Sequence, residues 1–114
     1  MPEVSIITSR RDFVSAARSG DKFVSASLVM QVRSRPDTSG PRVGFTATRK
    51  IGGAVQRNRA KRRMRALARD VLIPDAQSSC DYVLIARHNT GKISWQQLVS
   101  DCESLLSRHR KKAC

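Results

Sequence analysis

Apolar residues recur along this chain at two spacings, and the switches between them divide it into elements. Ser9-Arg10-Arg11-Asp12 has the pattern of a helix start, a hydroxyl cap with an acid three residues on, near the positive end of the helix dipole. Phe13, Ala16 and Ala17 follow at helical spacing, and Gly20 predicts a stop in the left-handed conformation. Residues 23–33 turn β-rich around Leu28-Val29-Met30-Gln31-Val32, and residues 23–27 can be read within that strand or as one of their own. Pro36, Gly40 and Pro41 make the next stretch a loop. Beyond it Val43, Phe45 and Ala47 alternate with Gly44, Thr46 and Thr48, the pattern of a half-buried strand. The strands on either side of this loop are expected to pair as an antiparallel hairpin.

Ile51-Gly52-Gly53 breaks the second of these strands, and a long helix is predicted over residues 54–71, bounded by Pro74. Asp81-Tyr82-Val83-Leu84-Ile85-Ala86-Arg87 has few polar interruptions and suits an interior strand. Ser94-Trp95-Gln96-Gln97 is a capping box, and behind it Trp95, Leu98, Val99, Cys102, Leu105 and Leu106 share one helical face. Residues 107–114 read as a basic, frayed tail. The order helix, strands, helix, strand, helix implies one α+β domain over residues 1–114, with helices packed on a small sheet.

Charge changes this picture from a generic domain to a binding protein. Among 114 residues, Lys and Arg number 22 against 9 Asp and Glu, a net charge of +13. Such a field draws polyanions and opposes self-association, so the chain alone is expected to be a monomer. No apolar run approaches a membrane span, and Met1-Pro2-Glu3-Val4 lacks a basic signal-like start, so the expected location is cytoplasmic. Cys80, Cys102 and Cys114 form no C-x-x-C pair, which points to reduced thiols and to neither zinc nor a disulfide framework.

Ten of the 22 cations fall between Arg42 and Arg69, a span without an acid. On a wheel of about 100° per residue, Ala60, Met64, Leu67 and Val71 share one narrow sector that can face a core. Arg57, Arg59, Lys61, Arg62, Arg63, Arg65 and Arg69 occupy the rest. Like charges at i, i+4 cost a few tenths of a kcal/mol each, so this helix is built against its own stability. Guanidinium forks match phosphate oxygens in pairs, and an arginine-rich face suits a nucleic-acid backbone. Gly52-Gly53 ahead of the helix would let a phosphate approach its amides, or serve only as a turn. Helix-turn-helix, zinc-finger, zipper and RRM signatures are absent. With five aromatics, of which Phe45 reads as core, a platform stacking several bases is not expected. The acids Asp70, Asp75 and Asp81 are scattered, and His88 and His109 have no partner at informative spacing and read as surface residues, so no catalytic residue and no metal site is expected.

The stretch Arg42-Val43-Gly44-Phe45-Thr46-Ala47-Thr48-Arg49-Lys50-Ile51-Gly52-Gly53-Ala54-Val55-Gln56-Arg57-Asn58-Arg59-Ala60-Lys61-Arg62 closely resembles the signature of the bacterial ribonuclease P protein family. Its centre is the Arg-Asn-Arg motif at Arg57-Asn58-Arg59, followed by Lys61-Arg62. Asp12-Phe13, Gly20, Leu28-Val29 and the run from Asp81 to Arg87 also sit where the family pattern expects them, so the resemblance covers most of the chain.

That resemblance implies an αβββαβα sandwich, with helices on a four-stranded sheet and a left-handed βαβ crossover. It implies the protein subunit of a ribonucleoprotein endonuclease that removes the 5′ leader from precursor tRNA, with catalysis and bound Mg²⁺ belonging to a large RNA subunit. On the matching positions, Arg57, Asn58, Arg59, Lys61, Arg62 and Arg65 would contact that RNA. Phe13, Thr46, Thr48, Arg49 and Lys50 would line a cleft for the single-stranded leader. The chain departs from the family pattern at Ala17 and Gln31, where aromatics are common, and at Arg63, where an apolar residue is common. A structural ribosomal-type RNA-binding protein is the alternative that composition permits.

Overall fold

A computed structural model of the chain describes residues 5–36, 39–77 and 79–113. The readings made of the N-terminal stretch at Met1-Pro2-Glu3-Val4, of Asp37 and Thr38 in the loop, and of Cys114 lie outside the described residues. In chain order the elements are β1 (Ser5–Ile6), α1 (Arg10–Ser19), β2 (Asp21–Val24), β3 (Leu28–Ser34), β4 (Arg42–Thr46), α2 (Ala54–Leu67), β5 (Cys80–Ala86) and α3 (Trp95–Ala113). The strands form one sheet in the order β1-β4-β5-β3-β2.

The place of β5 overturns the expected hairpin. β3 and β4 do not pair with each other, because β5 lies between them, antiparallel to β3 and parallel to β4. Six of its seven residues are buried, and a run apolar on both faces is stable only in the interior of a sheet. The loop after β3 therefore crosses two strand spacings, roughly 10 Å, instead of turning tightly. The hairpin that does form joins β2 to β3, so residues 21–24 are a strand of their own. Ser25 closes its turn, its amide and hydroxyl both donating to the Leu28 carbonyl. β1 adds a fifth strand, parallel to β4 at the far edge; two residues are too few to show an alternation.

The two sheet faces are covered unequally. Leu28, Met30, Val32, Val43, Tyr82, Leu84 and Ala86 face a core shared with Ala60, Met64 and Leu67 of α2 and Leu98, Cys102, Leu105 and Leu106 of α3. On the other face Val83 packs against Ala16 of α1 and Ile7, with Phe13 and Ile85 at the margin. α1 ends at Gly20, though not in the left-handed conformation, since its φ is −82°. Glycine is required there by space: a Cβ would stand 2.5 Å from the Ala16 carbonyl oxygen and 2.7 Å from that of Val32.

α2 stops short of the predicted length. Past Leu67 the chain widens into a π turn over Ala68–Leu72, which buries Ala68 and Leu72, and then a 3-10 turn over Ile73–Asp75 that contains Pro74. At the start of α3 the Ser94 hydroxyl accepts from the Gln97 amide at 3.1 Å, while the Gln97 carboxamide turns to Asp101. Trp95, expected on the buried face, is 37% exposed because it sits ahead of the first covered turn. The tail expected to fray is the end of α3, which runs to Ala113. There Arg108 donates to the Val24 carbonyl, Arg110 pairs with Asp75, and Lys112 pairs with Asp21. His109, read as a surface residue, is buried edge-on between the rings of Phe23 and Tyr82, at centroid distances of 5.8 and 5.7 Å. Position 109 follows Leu105 by four residues and extends the same stripe. Cys80 and Cys102 are buried free thiols, and burial pushes that of Cys102 up to about 12.

Candidate nucleic-acid interface

α2 lies on the sheet through Ala60, Met64 and Leu67, all essentially without exposure. This fixes the direction of every other side chain. Asn58, Arg62 and Arg65 stand on the crest away from the core and, with Val55, line an open depression of about 420 Å³. Arg57 and Lys61 lie half-buried on one flank, and exposed Arg59 on the other. Among the described residues none of these cations pairs with an acid, whereas Arg69, a turn further on, pairs with Asp70 at 3.1 Å. The helix is entered through Gly52, whose φ of +138° favours glycine for backbone reasons alone.

A second surface forms on the α1 side of the sheet, where registered residues lie in rows. Arg42, Asp81 and Arg33 make the first row, Gly44, Val83 and Gln31 the next, and Thr46, Ile85 and Val29 the third. The Phe13 ring rests on the second row. A Cβ at Gly44 would meet its Cε1 at 2.6 Å and Cζ at 2.8 Å, so the glycine makes room for the ring. α1 leaves Thr46 and Ile85 half-exposed, and the chain continues from there into exposed Thr48, Arg49 and Lys50.

The first row closes this surface with a charge cluster that the sequence reading missed. Asp81 is fully buried and accepts from Arg33 at 3.0 Å, Arg35 at 2.5 Å and Arg42 through two bonds at 2.8 Å. Asp12 of α1 lies 3.5 Å from both Arg33 and Arg42, so the cluster also ties the helix to the sheet. Burial alone pushes the Asp81 carboxyl up, but hydrogen bonds from Arg42 and Arg35 outweigh it and hold the pKa below the usual carboxylate range. The one signal was an acid opening a strand otherwise apolar on both faces, which asks for buried cations.

A family model for ribonuclease P matches residues 1–110. This chain belongs to the ribonuclease P protein family. The Caulobacter vibrioides ribonuclease P protein component is 48% identical over 101 residues, which span 88% of this chain and 67% of that relative. The Gluconacetobacter diazotrophicus component is 37% identical over 102 residues, 90% of this chain and 88% of that relative. Among solved structures, the Staphylococcus aureus RNase P protein superposes with a TM-score of 0.78 at 21% identity, covering 94% of this chain and 96% of that one. The Thermotoga maritima RNase P protein gives 0.78 at 24% identity, with coverage of 91% and 96%. Identity at this level speaks for the fold.

In this ribonuclease P protein the residues singled out from the sequence fall in separate places. Asn58, Arg62 and Arg65 come together on the crest of α2, while Arg57 and Lys61 on one side and Arg59 on the other widen the charged surface. Phe13 and Thr46 meet the α1 side of the sheet; Thr48, Arg49 and Lys50 follow as the link into α2, with Arg49–Ile51 in a 3-10 turn. Arg63, placed by the wheel among the charged positions, turns inward and donates to the Thr90 carbonyl at 2.8 Å. Among the described residues no three His, Cys, Asp or Glu side chains are grouped to hold a metal ion, and no helix is long and apolar enough to cross a membrane.

Proposed function

We propose that this chain serves as the protein subunit of ribonuclease P in the removal of the 5′ leader from precursor tRNA, with the RNA subunit carrying the catalysis. The observation that carries the proposal is α2, which holds the family motif and presents Asn58, Arg59, Arg62 and Arg65 to solvent, with no acidic partner among the described residues. Unpaired guanidinium groups around a helix form two-pronged bonds to phosphate oxygens, and Arg57 and Lys61 extend the contact along one flank. The RNA subunit is the partner for this surface.

The precursor tRNA leader, being single-stranded, takes the α1 side of the sheet. Phe13 offers part of a ring face and Thr46 and Thr48 offer hydroxyls, while Arg49 and Lys50 neutralise phosphates leaving the sheet. Mg²⁺ supplies charge neutralisation for phosphodiester cleavage when bound. The residues described form no carboxylate group to hold it, so we place it with the RNA subunit. We further infer that the chain alone is monomeric and acts in the cytoplasm, as the repulsion of a +13 surface and the RNA partner suggest.

Reconstitution tests the reading. The chain and its cognate RNA subunit are mixed at low Mg²⁺ with a precursor tRNA, and cleavage is expected with both present and not with RNA-free protein. Metal-dependent 5′ processing by the protein alone would overturn the division of labour. Co-purification of ribosomal RNA, in place of one stable RNA of the ribonuclease P type, would favour a structural ribosomal role instead.

A further inference from the structure

The loop between β5 and α3 carries cations that no sequence motif tied to the interface, yet it is fixed firmly against α2. Besides receiving Arg63 on its carbonyl, Thr90 is fully buried, and its hydroxyl donates to the Ser27 carbonyl at 2.6 Å and accepts from the Arg87 amide at 2.7 Å. Gly91 approaches α2 so closely that a Cβ there would stand 3.6 Å from Cγ of Arg59 and 3.8 Å from the Ala60 amide nitrogen. The loop is thus a second wall, facing the first turns of α2.

Between the walls lies a pocket of about 240 Å³. Ile51, Val55 and Ala60 give it a mainly apolar lining, and Val55 remains 77% exposed. Its rim carries Arg59 from α2 and Arg87, His88 and Lys92 from the loop, and among the described residues no acid lines it. Gln56 adds a carboxamide that can both donate and accept.

An apolar slot with a cationic rim matches the two halves of a nucleotide, a flat base and a phosphate. The volume lies below the roughly 300–1,000 Å³ of sites for drug-sized ligands, which suits a single planar ring system. Bases within a duplex are stacked and shielded, so only an unpaired one can be splayed into such a slot. We propose that this pocket takes one unstacked nucleobase from a bulge or loop of an RNA partner, with its flanking phosphates on Arg59, Arg87 and Lys92. The proposal rests on the RNA-binding reading above and deepens it, from backbone contact along α2 to capture of a base beside it.

The test uses the full chain and two RNA hairpins, one fully paired and one identical but for a single unpaired adenosine in the stem. Gly91→Leu places a side chain into the pocket, whereas Gly91→Ala makes only an ordinary contact and leaves it open. The parent and Gly91→Ala should bind the bulged hairpin roughly tenfold tighter than the paired one, the order of one base held against a wall. Gly91→Leu should bind both as the parent binds the paired hairpin, which also shows that the variant is folded. Should it fail to fold, Val55→Ser replaces an exposed wall residue and should lose part of the preference; full retention overturns the proposal. Equal binding of both hairpins by the parent overturns the pocket and leaves RNA binding standing, as does a preference that survives Gly91→Leu. Binding of neither hairpin overturns the RNA-binding reading itself.

Discussion

A carboxylate without solvent exposure is tolerable only when its lone pairs are met, and Asp81 meets this with guanidinium donors from Arg33, Arg35 and Arg42 at 2.5–3.0 Å. Asp81→Asn removes the charge and leaves three arginines facing one another around a neutral amide. Breaking a buried ion pair on one side costs about 3–5 kcal/mol, and urea unfolding of the variant should show a loss of that order. His109 makes the opposite demand. Burial between Phe23 and Tyr82 favours the neutral imidazole and lowers its pKa below 6.5, against a raising pull from Asp21. Between the folded and unfolded values the unfolded chain binds a proton that the folded chain does not, so stability rises with pH there. The contribution is complete above 6.5 and is lost as pH falls toward the folded value. Asp81 holds its contribution down to about its unfolded value of 3.8 and loses it below that. Thermal unfolding between pH 7 and 5 should therefore show a falling midpoint, flattened in His109→Phe, which keeps a ring and removes the titration. An equal slope in the variant would place the titrating group elsewhere.

At the level of the element, α2 separates what stabilises from what binds. Leu67 is fully buried in the main core, and Leu67→Ala should cost about 2–5 kcal/mol. Arg59→Ala and Arg62→Ala remove exposed cations, so RNA-subunit affinity should fall while the unfolding midpoint stays close to that of the parent. Unchanged binding in both variants would remove α2 from the interface. The wheel reading of this helix was legible because a period of 3.6 places Ala60, Met64 and Leu67 together whatever they pack against. The hairpin reading failed for a related reason. Alternation reports that Val43 and Phe45 share a face, but pairing depends on which strand most needs the interior, and β5 stands 34 residues further on, at Cys80–Ala86, than the end of β4. Arg63 and the loop at Thr90 were illegible for the same non-local reason. Their contact spans 27 residues, and nothing in a local window distinguishes the arginine that reaches inward from the other five of this segment.

For the whole molecule, a charge of +13 is a field before it is a set of contacts. If six or more phosphates are neutralised, affinity for RNA should fall by on the order of 10³-fold or more between about 50 and 200 mM salt, by the relation for duplex DNA. A nearly flat dependence, read by filter binding across that range, would mean that packing or base contacts dominate. The leader raises the sharper question of whether its path over the sheet is read as charge or as a stacking surface. Phe13 is half-buried: its ring lies on Gly44 and packs beside Ile7, Ala16 and Val83, so part of it belongs to the α1 interface. The rest borders the strip of Thr46 and Ile85 that α1 leaves open. Ala17 and Gln31 supply no second ring, so any stacking in this cleft falls on Phe13, a contact worth roughly 1–3 kcal/mol in other single-strand binders. Phe13→Leu keeps apolar bulk for the interface and removes the π-face, while Arg49→Ala leaves the interface untouched and removes a phosphate contact. Holoenzymes carrying each variant, assayed for binding of precursor tRNAs with a long and a very short leader, separate the two. A loss confined to the long leader in Phe13→Leu, beyond that in Arg49→Ala, assigns the leader a stacking contact. Equal losses for both leaders, accompanied by a lowered unfolding midpoint, would return Phe13 to the packing of α1.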